Sequence, residues 1–232
     1  MNTQKFVNAT AQYHSELCPK AWDGTVMKPE VRERLIDIAQ VFVDYLDVPE
    51  FDVLDVVLTG SMANYNWTQF SDFDIHVVTR YTDLNADEIA EAFYRAKKTI
   101  WNDQHDITIL GHEAELYVED LEEPPVSGGV YSILRGKWVD QPKFEEPKIN
   151  DTAIVKKVRA IAREIEHCIE QGDTDDLQRI TVKLRNMRRA GLDASGEFST
   201  ENLAFKTLRN MGMIDRLHRA YTQGHDKSLS LL

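Results

Sequence analysis

The chain has 232 residues, 42% of them hydrophobic and 28% charged, with 39 acidic against 27 basic side chains. This is the composition of a globular protein with one or two domains. The net charge of −12 argues against a protein that coats duplex nucleic acid, because such binding depends on Lys and Arg neutralising phosphates. Cys18 and Cys168 show no CxxC or CxxH spacing, which argues against a disulfide framework and a structural zinc site.

The N-terminal residues contain no apolar run of signal-peptide length. No stretch of about 18 uninterrupted apolar residues occurs anywhere in the sequence. We therefore expect a soluble, cytoplasmic protein that has no membrane partner.

The first part of the chain alternates between helical and strand patterns. The predicted order is a helix over 29–46, strands over 51–60 and 73–79, a helix opening at a capping box of Asn85 and Glu88, strands over 106–110 and 113–118, and a hairpin over 127–139. The second helix is expected to bury one stripe, formed by Ile89, Ala92, Phe93, Ala96 and Ile100. This order fits a mixed sheet with helices packed against it.

Beyond Pro147 the pattern is helical throughout. Four helices are predicted: one from an N-cap at Asp151 to Gly172, one closed by Gly191, one from Ser199 or Thr200 to Gly212, and one through Ile214 and Leu217. The fold class is therefore α+β, with a mixed-sheet core domain over 1–147 and a C-terminal helical domain over 148–232. Charge follows the same division, since residues 1–150 carry −14 and residues 151–232 carry +2.

The segment with the clearest chemical content is LTGSMANYNWTQFSDFDIHVV, residues 58–78. A predicted strand ends at Gly60-Ser61, and ten residues separate Ser61 from Asp72. Side chains alternate faces along a strand, so Asp72 and Asp74 share one face. Two carboxylates this close repel each other, and sharing hard divalent cations such as Mg²⁺ or Mn²⁺ relieves that repulsion. The Gly60-Ser61 turn offers backbone N–H groups and a hydroxyl to phosphate oxygens.

This pattern resembles the DNA polymerase β-like nucleotidyltransferase superfamily, whose signature is a Gly-Ser pair followed by Asp-x-Asp at about this distance. The resemblance implies that Asp72, Asp74 and a third carboxylate on a later strand are catalytic and hold two Mg²⁺ or Mn²⁺ ions together with an NTP. Gly60 and Ser61 would bind the nucleotide. The implied activity moves a nucleoside monophosphate from the NTP to an acceptor hydroxyl and releases pyrophosphate.

The third carboxylate should lie on a strand after the intervening helix, where HEAELYV offers Glu113 and Glu115 on one face. We favour Glu115, because an apolar run follows it as one follows Asp74, and Glu113 stays open as the alternative. His76 shares the face of Asp72 and Asp74, either as a packed, hydrogen-bonded histidine or as a base or substrate contact.

The sequence does not identify the acceptor. The acidic surface favours a small molecule, a second nucleotide or a protein over long nucleic acid. An RNA end remains open through the basic residues of the helical domain, which are Arg179, Lys183, Arg185, Arg188 and Arg189. The alternative to an enzyme is a non-catalytic nucleotide-binding or toxin-neutralising module with the same fold.

Overall fold

The computed structural model describes residues 2–49, 51–81, 87–122 and 127–231. These residues form two compact units, which we name the sheet unit (residues 13–145) and the helical unit (residues 1–12 with 146–232). The N-terminal residues, which the sequence pattern groups with the sheet, therefore cluster with the C-terminal helices. The physical reason is that Val7 is fully buried in the apolar core of the helical unit.

The α-helices are α1 (Thr3–Thr10), α2 (Pro29–Leu46), α3 (Asp87–Gln104), α4 (Asp151–Gln171), α5 (Thr174–Ser195), α6 (Thr200–Asn210) and α7 (Met213–Leu229). The strands are β1 (Trp22–Asp23), β2 (Val26–Met27), β3 (Asp55–Thr59), β4 (Phe73–Thr79), β5 (Thr108–Ile109), β6 (His112–Asp120), β7 (Val130–Ser132) and β8 (Lys137–Asp140). A 3-10 helix over Ser61–Ala63 follows β3. No helix in the described ranges combines the length and apolar content needed to cross a membrane.

The main sheet has the strand order β5-β6-β4-β3-β7-β8, while β1 and β2 form a separate antiparallel pair. Within the main sheet, β4 and β6 are parallel, and the other neighbouring strands are antiparallel. Helix α3 makes the crossover that a parallel pair requires. The prediction of an α+β protein with a mixed sheet and C-terminal helices is confirmed.

The two faces of β4 differ in composition. Phe73, Ile75 and Val77 are buried in the core of the sheet unit, which also contains residues of α2 and α3. Asp74 and His76 alternate with them and are partly exposed. The predicted alternation along β4 is therefore confirmed, and it places the carboxylate of Asp74 on the face opposite the core.

The predicted inner face of α3 was wrong. Ile89 and Phe93 are exposed, as are Ala92, Ala96 and Ile100, whereas Ala90, Tyr94 and Trp101 are buried. Both stripes have helical spacing, and the one with the larger rings is buried. Trp101 packs against the Phe42 ring at 5.4 Å between centroids, so its burial removes the greater apolar area from water. The predicted cap at Asn85 lies outside the described residues.

Two helix boundaries in the helical unit also differ from prediction. The N-cap of α4 is Asn150, whose Oδ1 accepts the Ala153 N–H at 3.0 Å, and not Asp151. Helix α5 continues through Gly191 to Ser195. A Cβ at Gly191 would lie 2.5 Å from the Cβ of Glu201, so this glycine permits close packing against α6 instead of ending the helix.

Candidate active site

Asp74 and Glu115 are direct register partners on the parallel strands β4 and β6. Neighbouring strands lie about 4.8 Å apart, and residues in register point to the same face. The two carboxylates therefore project side by side from the face opposite the core. Asp72, one residue before β4, has the same parity as Asp74, and both Asp72 and Asp74 are partly exposed.

Glu113, the alternative third carboxylate, lies elsewhere along β6. Its register partner is Thr108 on β5, and its side chain is exposed. Glu115 is partly buried and is paired with Asp74. The strand register therefore favours Glu115 as the residue that shares a ligand with Asp74.

The Gly60 turn approaches the Asp74 side chain closely. Gly60 has a φ of +70°, and a Cβ built on it would lie 1.9 Å from Asp74 Oδ2. Only glycine satisfies both conditions, because other residues rarely adopt this φ and any side chain would overlap the carboxylate. The backbone at the end of β3 thus forms one wall beside Asp74.

Hydrogen bonds within the protein engage the groups that the sequence assigns to phosphate binding. The Ser61 hydroxyl donates to Ser71 Oγ at 2.7 Å, and Ser71 Oγ accepts the Thr68 N–H at 2.8 Å. The Gly60 N–H donates to Ser127 Oγ at 3.2 Å. The two serine bonds close the loop between β3 and β4, and the third joins the Gly60 turn to the segment before β7. Nucleotide binding by Gly60 and Ser61 stays a prediction.

Tyr117 and Lys98 also belong to this face, although neither residue is part of the Gly-Ser…Asp-x-Asp pattern. The Tyr117 hydroxyl donates to Glu115 Oε2 at 2.5 Å, and Lys98 Nζ from α3 lies 3.9 Å from the centroid of the Tyr117 ring. Burial and the nearby charges of Glu115 and Asp74 raise the pKa of Tyr117. Burial lowers the pKa of Lys98, and the attraction of Glu115 and Asp74 opposes that shift.

A sequence signal marks Tyr117 but not Lys98. Tyr117 lies two residues after Glu115 on a strand, so period-2 alternation already puts both on one face. Lys98 lies on another element and has no local pattern that relates it to β6. Only the packing of α3 beside β6 brings its ammonium group to the ring.

His76 is held by side chains of the sheet. Its Nδ1 donates to Glu119 Oε2 at 2.8 Å, its Nε2 lies 3.1 Å from Thr59 Oγ1, and its ring stacks on Tyr117 with 4.6 Å between centroids. Both ring nitrogens therefore have partners within the protein. This geometry is that of a packed, hydrogen-bonded histidine.

The oxygen ligands of this face suit a hard divalent cation. Asp74 and Glu115 supply carboxylate oxygens from adjacent strands. Because oxygen ligands suit hard cations, this donor set fits Mg²⁺ or Mn²⁺. Within the described ranges, no three His, Cys, Asp or Glu side chains are grouped closely enough to hold a metal ion by themselves.

The basic residues of α5 make contacts inside the helical unit. Arg179 pairs with Asp176 at 2.6 Å and Lys183 with Glu164 at 2.7 Å. The Arg188 guanidinium lies over the ring of Phe205. These three cations therefore already have partners of their own unit.

No protein-family model matches the chain, and no curated protein matches it. A solved structure that it matches is the STING-associated CdnE c-di-GMP synthase from Capnocytophaga granulosa, with 9% identity over 97% of this chain and 88% of that chain and a TM-score of 0.22. A TM-score of 0.22 does not establish a shared fold. The chemistry proposed below therefore depends on the residues of this chain.

Proposed function

We propose that the chain is a metal-dependent nucleotidyltransferase that moves a nucleoside monophosphate from an NTP to an acceptor hydroxyl and releases pyrophosphate. The observation that supports this most strongly is the register pairing of Asp74 with Glu115 beside the Gly60 turn. That pairing joins the two halves of the sequence pattern, the Gly-Ser…Asp-x-Asp motif and the later acidic strand.

The three carboxylates share one task in this proposal, and Glu115 has a second task. Asp72, Asp74 and Glu115 would hold two Mg²⁺ or Mn²⁺ ions together with the triphosphate oxygens. Bound ions of this kind polarise phosphoryl oxygens and offset the charge that develops on the attacking and leaving oxygens. Glu115 also accepts the proton of the acceptor hydroxyl, since a general base must lie within hydrogen-bond reach of that proton.

The Gly60 turn orients the nucleotide. Ser61 is the residue that gives a hydroxyl donor to a phosphate oxygen, and for this its proton turns away from Ser71 Oγ. Gly60 keeps the backbone close to Asp74, so that phosphate and carboxylates meet without an intervening side chain. Holding the reacting groups in this orientation is itself a large part of the rate enhancement.

For the acceptor, we propose a small molecule, a second nucleotide or a protein. The chain carries a net charge of −12, and counterion release from a long nucleic acid requires many free cations. Arg179 and Lys183 are engaged in ion pairs. An RNA end as acceptor needs few phosphate contacts, so the net charge does not argue against it. The test therefore includes total RNA.

The test is release of pyrophosphate from each of the four NTPs with Mg²⁺ or Mn²⁺, alone and with total RNA. We expect release by the wild-type protein and none by Asp72→Asn or Asp74→Asn. Both variants should melt at the wild-type temperature or above it, because each relieves a repulsion between like charges.

Two results would contradict the proposal. If the wild-type protein binds NTP but releases no pyrophosphate under any condition, the chain is a nucleotide-binding module. If both Asn variants lose several degrees of melting temperature, the two aspartates have a structural role instead.

A further inference from the structure

The hydroxyl of Tyr117 occupies one oxygen of the Glu115 carboxylate, at 2.5 Å from Oε2. The terminal torsion of a glutamate is broad, so an unrestrained carboxylate samples many orientations. A hydrogen bond to one oxygen restricts the rotation of the carboxylate and narrows the range of directions in which the other oxygen points. Glu115 is thus orientated by a residue of its own strand.

The Tyr117 ring is itself held by two neighbouring elements. From β4, the His76 ring stacks on it with 4.6 Å between centroids and 8° between planes. From α3, Lys98 Nζ lies 3.9 Å from its centroid, a cation–π distance. The His76 ring is in turn fixed by its hydrogen bond to Glu119. The phenol that reaches Glu115 therefore has little freedom to move.

Asn102 fixes the position of α3 relative to β6. Its Oδ1 accepts the Leu116 N–H at 3.1 Å, and its Nδ2 donates to the Leu116 carbonyl at 3.2 Å. Lys98 lies four residues earlier, on the same face of α3. The hydrogen bonds of Asn102 thus hold Lys98 at the height of Tyr117, one residue beyond Leu116.

We propose that Tyr117 is a positioning residue for Glu115 and that Lys98 holds the Tyr117 ring in place. The inference rests on the proposed function, because the purpose of the fixed carboxylate is to bind metal and accept a proton there. Removing a residue that orients a metal ligand typically costs about 10-fold to 100-fold in metal affinity or activity.

The experiment compares Tyr117→Phe with Tyr81→Phe, its matched control. Each variant loses one phenolic hydroxyl and keeps the ring, but the Tyr81 hydroxyl donates to the backbone carbonyl of Val118 at 2.9 Å and not to Glu115. The measurements are kcat, KM for the NTP, and Mg²⁺ affinity by calorimetry in the presence of a non-hydrolysable NTP analogue.

We expect Tyr117→Phe to lower both kcat and Mg²⁺ affinity by about tenfold or more, with KM for the NTP changed by about twofold at most. Tyr81→Phe should stay within about twofold of wild type in all three. Lys98→Met should show a smaller loss in the same direction, and Lys98→Arg should restore most of it, because a guanidinium also binds an aromatic face.

A spectroscopic readout is independent of turnover. In protein labelled with ¹³C at the glutamate side-chain carboxyls, the Glu115 signal is assigned by its loss in Glu115→Gln. That signal should move in Tyr117→Phe and remain in place in Tyr81→Phe.

Two failures are distinguishable. An active wild-type protein in which Tyr117→Phe matches Tyr81→Phe in kcat and Mg²⁺ affinity would overturn the positioning role alone. A wild-type protein that neither releases pyrophosphate nor binds Mg²⁺ more tightly with the NTP analogue would overturn the proposed function, and the positioning role with it.

Discussion

Gly60 combines an unusual backbone conformation with a close contact to Asp74, a candidate catalytic residue. Its φ of +70° and ψ of −158° form a conformation that essentially only glycine adopts, and its Cα faces the Asp74 carboxylate without room for a methyl group. Gly24 has a positive φ of +59° as well, but a Cβ there would meet no atom within 4 Å. The two glycines thus share a positive φ and differ in the contact.

We therefore expect Gly60→Ala and Gly24→Ala to have different effects on activity. Both should lose about 1–3 kcal/mol of unfolding free energy, because each position has a positive φ that residues with a Cβ rarely adopt. Gly60→Ala should in addition displace Asp74 and lower kcat about 100-fold or more, since small misplacements of catalytic groups cost that much. Melting curves and steady-state kinetics measure these effects. Equal activity of the two variants would show that the close contact between Gly60 and Asp74 is not needed for function.

A comparison of two variants also distinguishes Glu115 from Glu113 as the third carboxylate. Glu115→Gln should lower the rate of pyrophosphate release by about 10³ or more, because it removes the carboxylate charge that lies beside Asp74 on the neighbouring strand. Glu113→Gln should cost about tenfold or less, since Glu113 is exposed and paired with Thr108. Initial rates of pyrophosphate release measure both, and the reverse order would assign the metal role to Glu113.

For individual residues, the sequence predicts which side chains share a face of one strand. The shared face of Asp72 and Asp74, and that of Glu115 with Tyr117, follows from alternation along one strand. The contact of Lys98 with Tyr117 does not, because it joins two elements whose packing no local pattern specifies. The hydrogen bond from Gly60 to Ser127 is unpredictable for the same reason, since the two residues are 67 positions apart in the sequence.

At the scale of elements, the strands of the sheet are predicted well and the buried face of α3 is not. Strand β4 runs from Phe73 to Thr79, as its β-branched pattern predicts. Helix α3 carries two apolar stripes of equal period, so periodicity alone cannot choose between them. Its rings at Tyr94 and Trp101 are buried because they fill more of the core than Ile89 and Ile100 would.

Helix packing in the helical unit includes one ion pair whose contribution depends on pH. Glu201 of α6 pairs with Lys157 of α4, and the hydrogen bond from Lys157 lowers the Glu201 pKa from its ordinary value of 4.5. A carboxylate with a lowered folded-state pKa stabilises the fold above its unfolded-state pKa. That contribution is lost as the pH falls through the lowered value.

We expect Glu201→Gln to melt about 1–3 °C below wild type at pH 7, because a pair whose side chains are each 33% exposed contributes at most about 1 kcal/mol. The difference should shrink once the pH falls below 4.5. Calorimetric melts across that range measure it, with Glu170→Gln as an exposed control on α4. A difference that stays constant with pH would show that the ion pair is not its cause.

At the scale of the whole molecule, the change from strands to helices near residue 147 is visible in the sequence. The placement of α1 is not, because an eight-residue helix with one fully buried valine offers no signal of which core it joins. Charge divides along the chain as well, with an acidic part over 1–150 and a nearly neutral remainder. The proposed chemistry uses residues of the sheet unit alone.

Metal and nucleotide binding at Asp74 and Glu115 is tested most directly by a crystal structure of the protein with Mn²⁺ and a non-hydrolysable NTP analogue, recorded at a wavelength where Mn²⁺ scatters anomalously. We expect anomalous peaks within coordination distance of carboxylate oxygens of Asp74 and Glu115 and of the triphosphate, beside the Gly60 turn. Nucleotide bound with Mn²⁺ at any site that excludes Asp74 and Glu115 would contradict the proposed site.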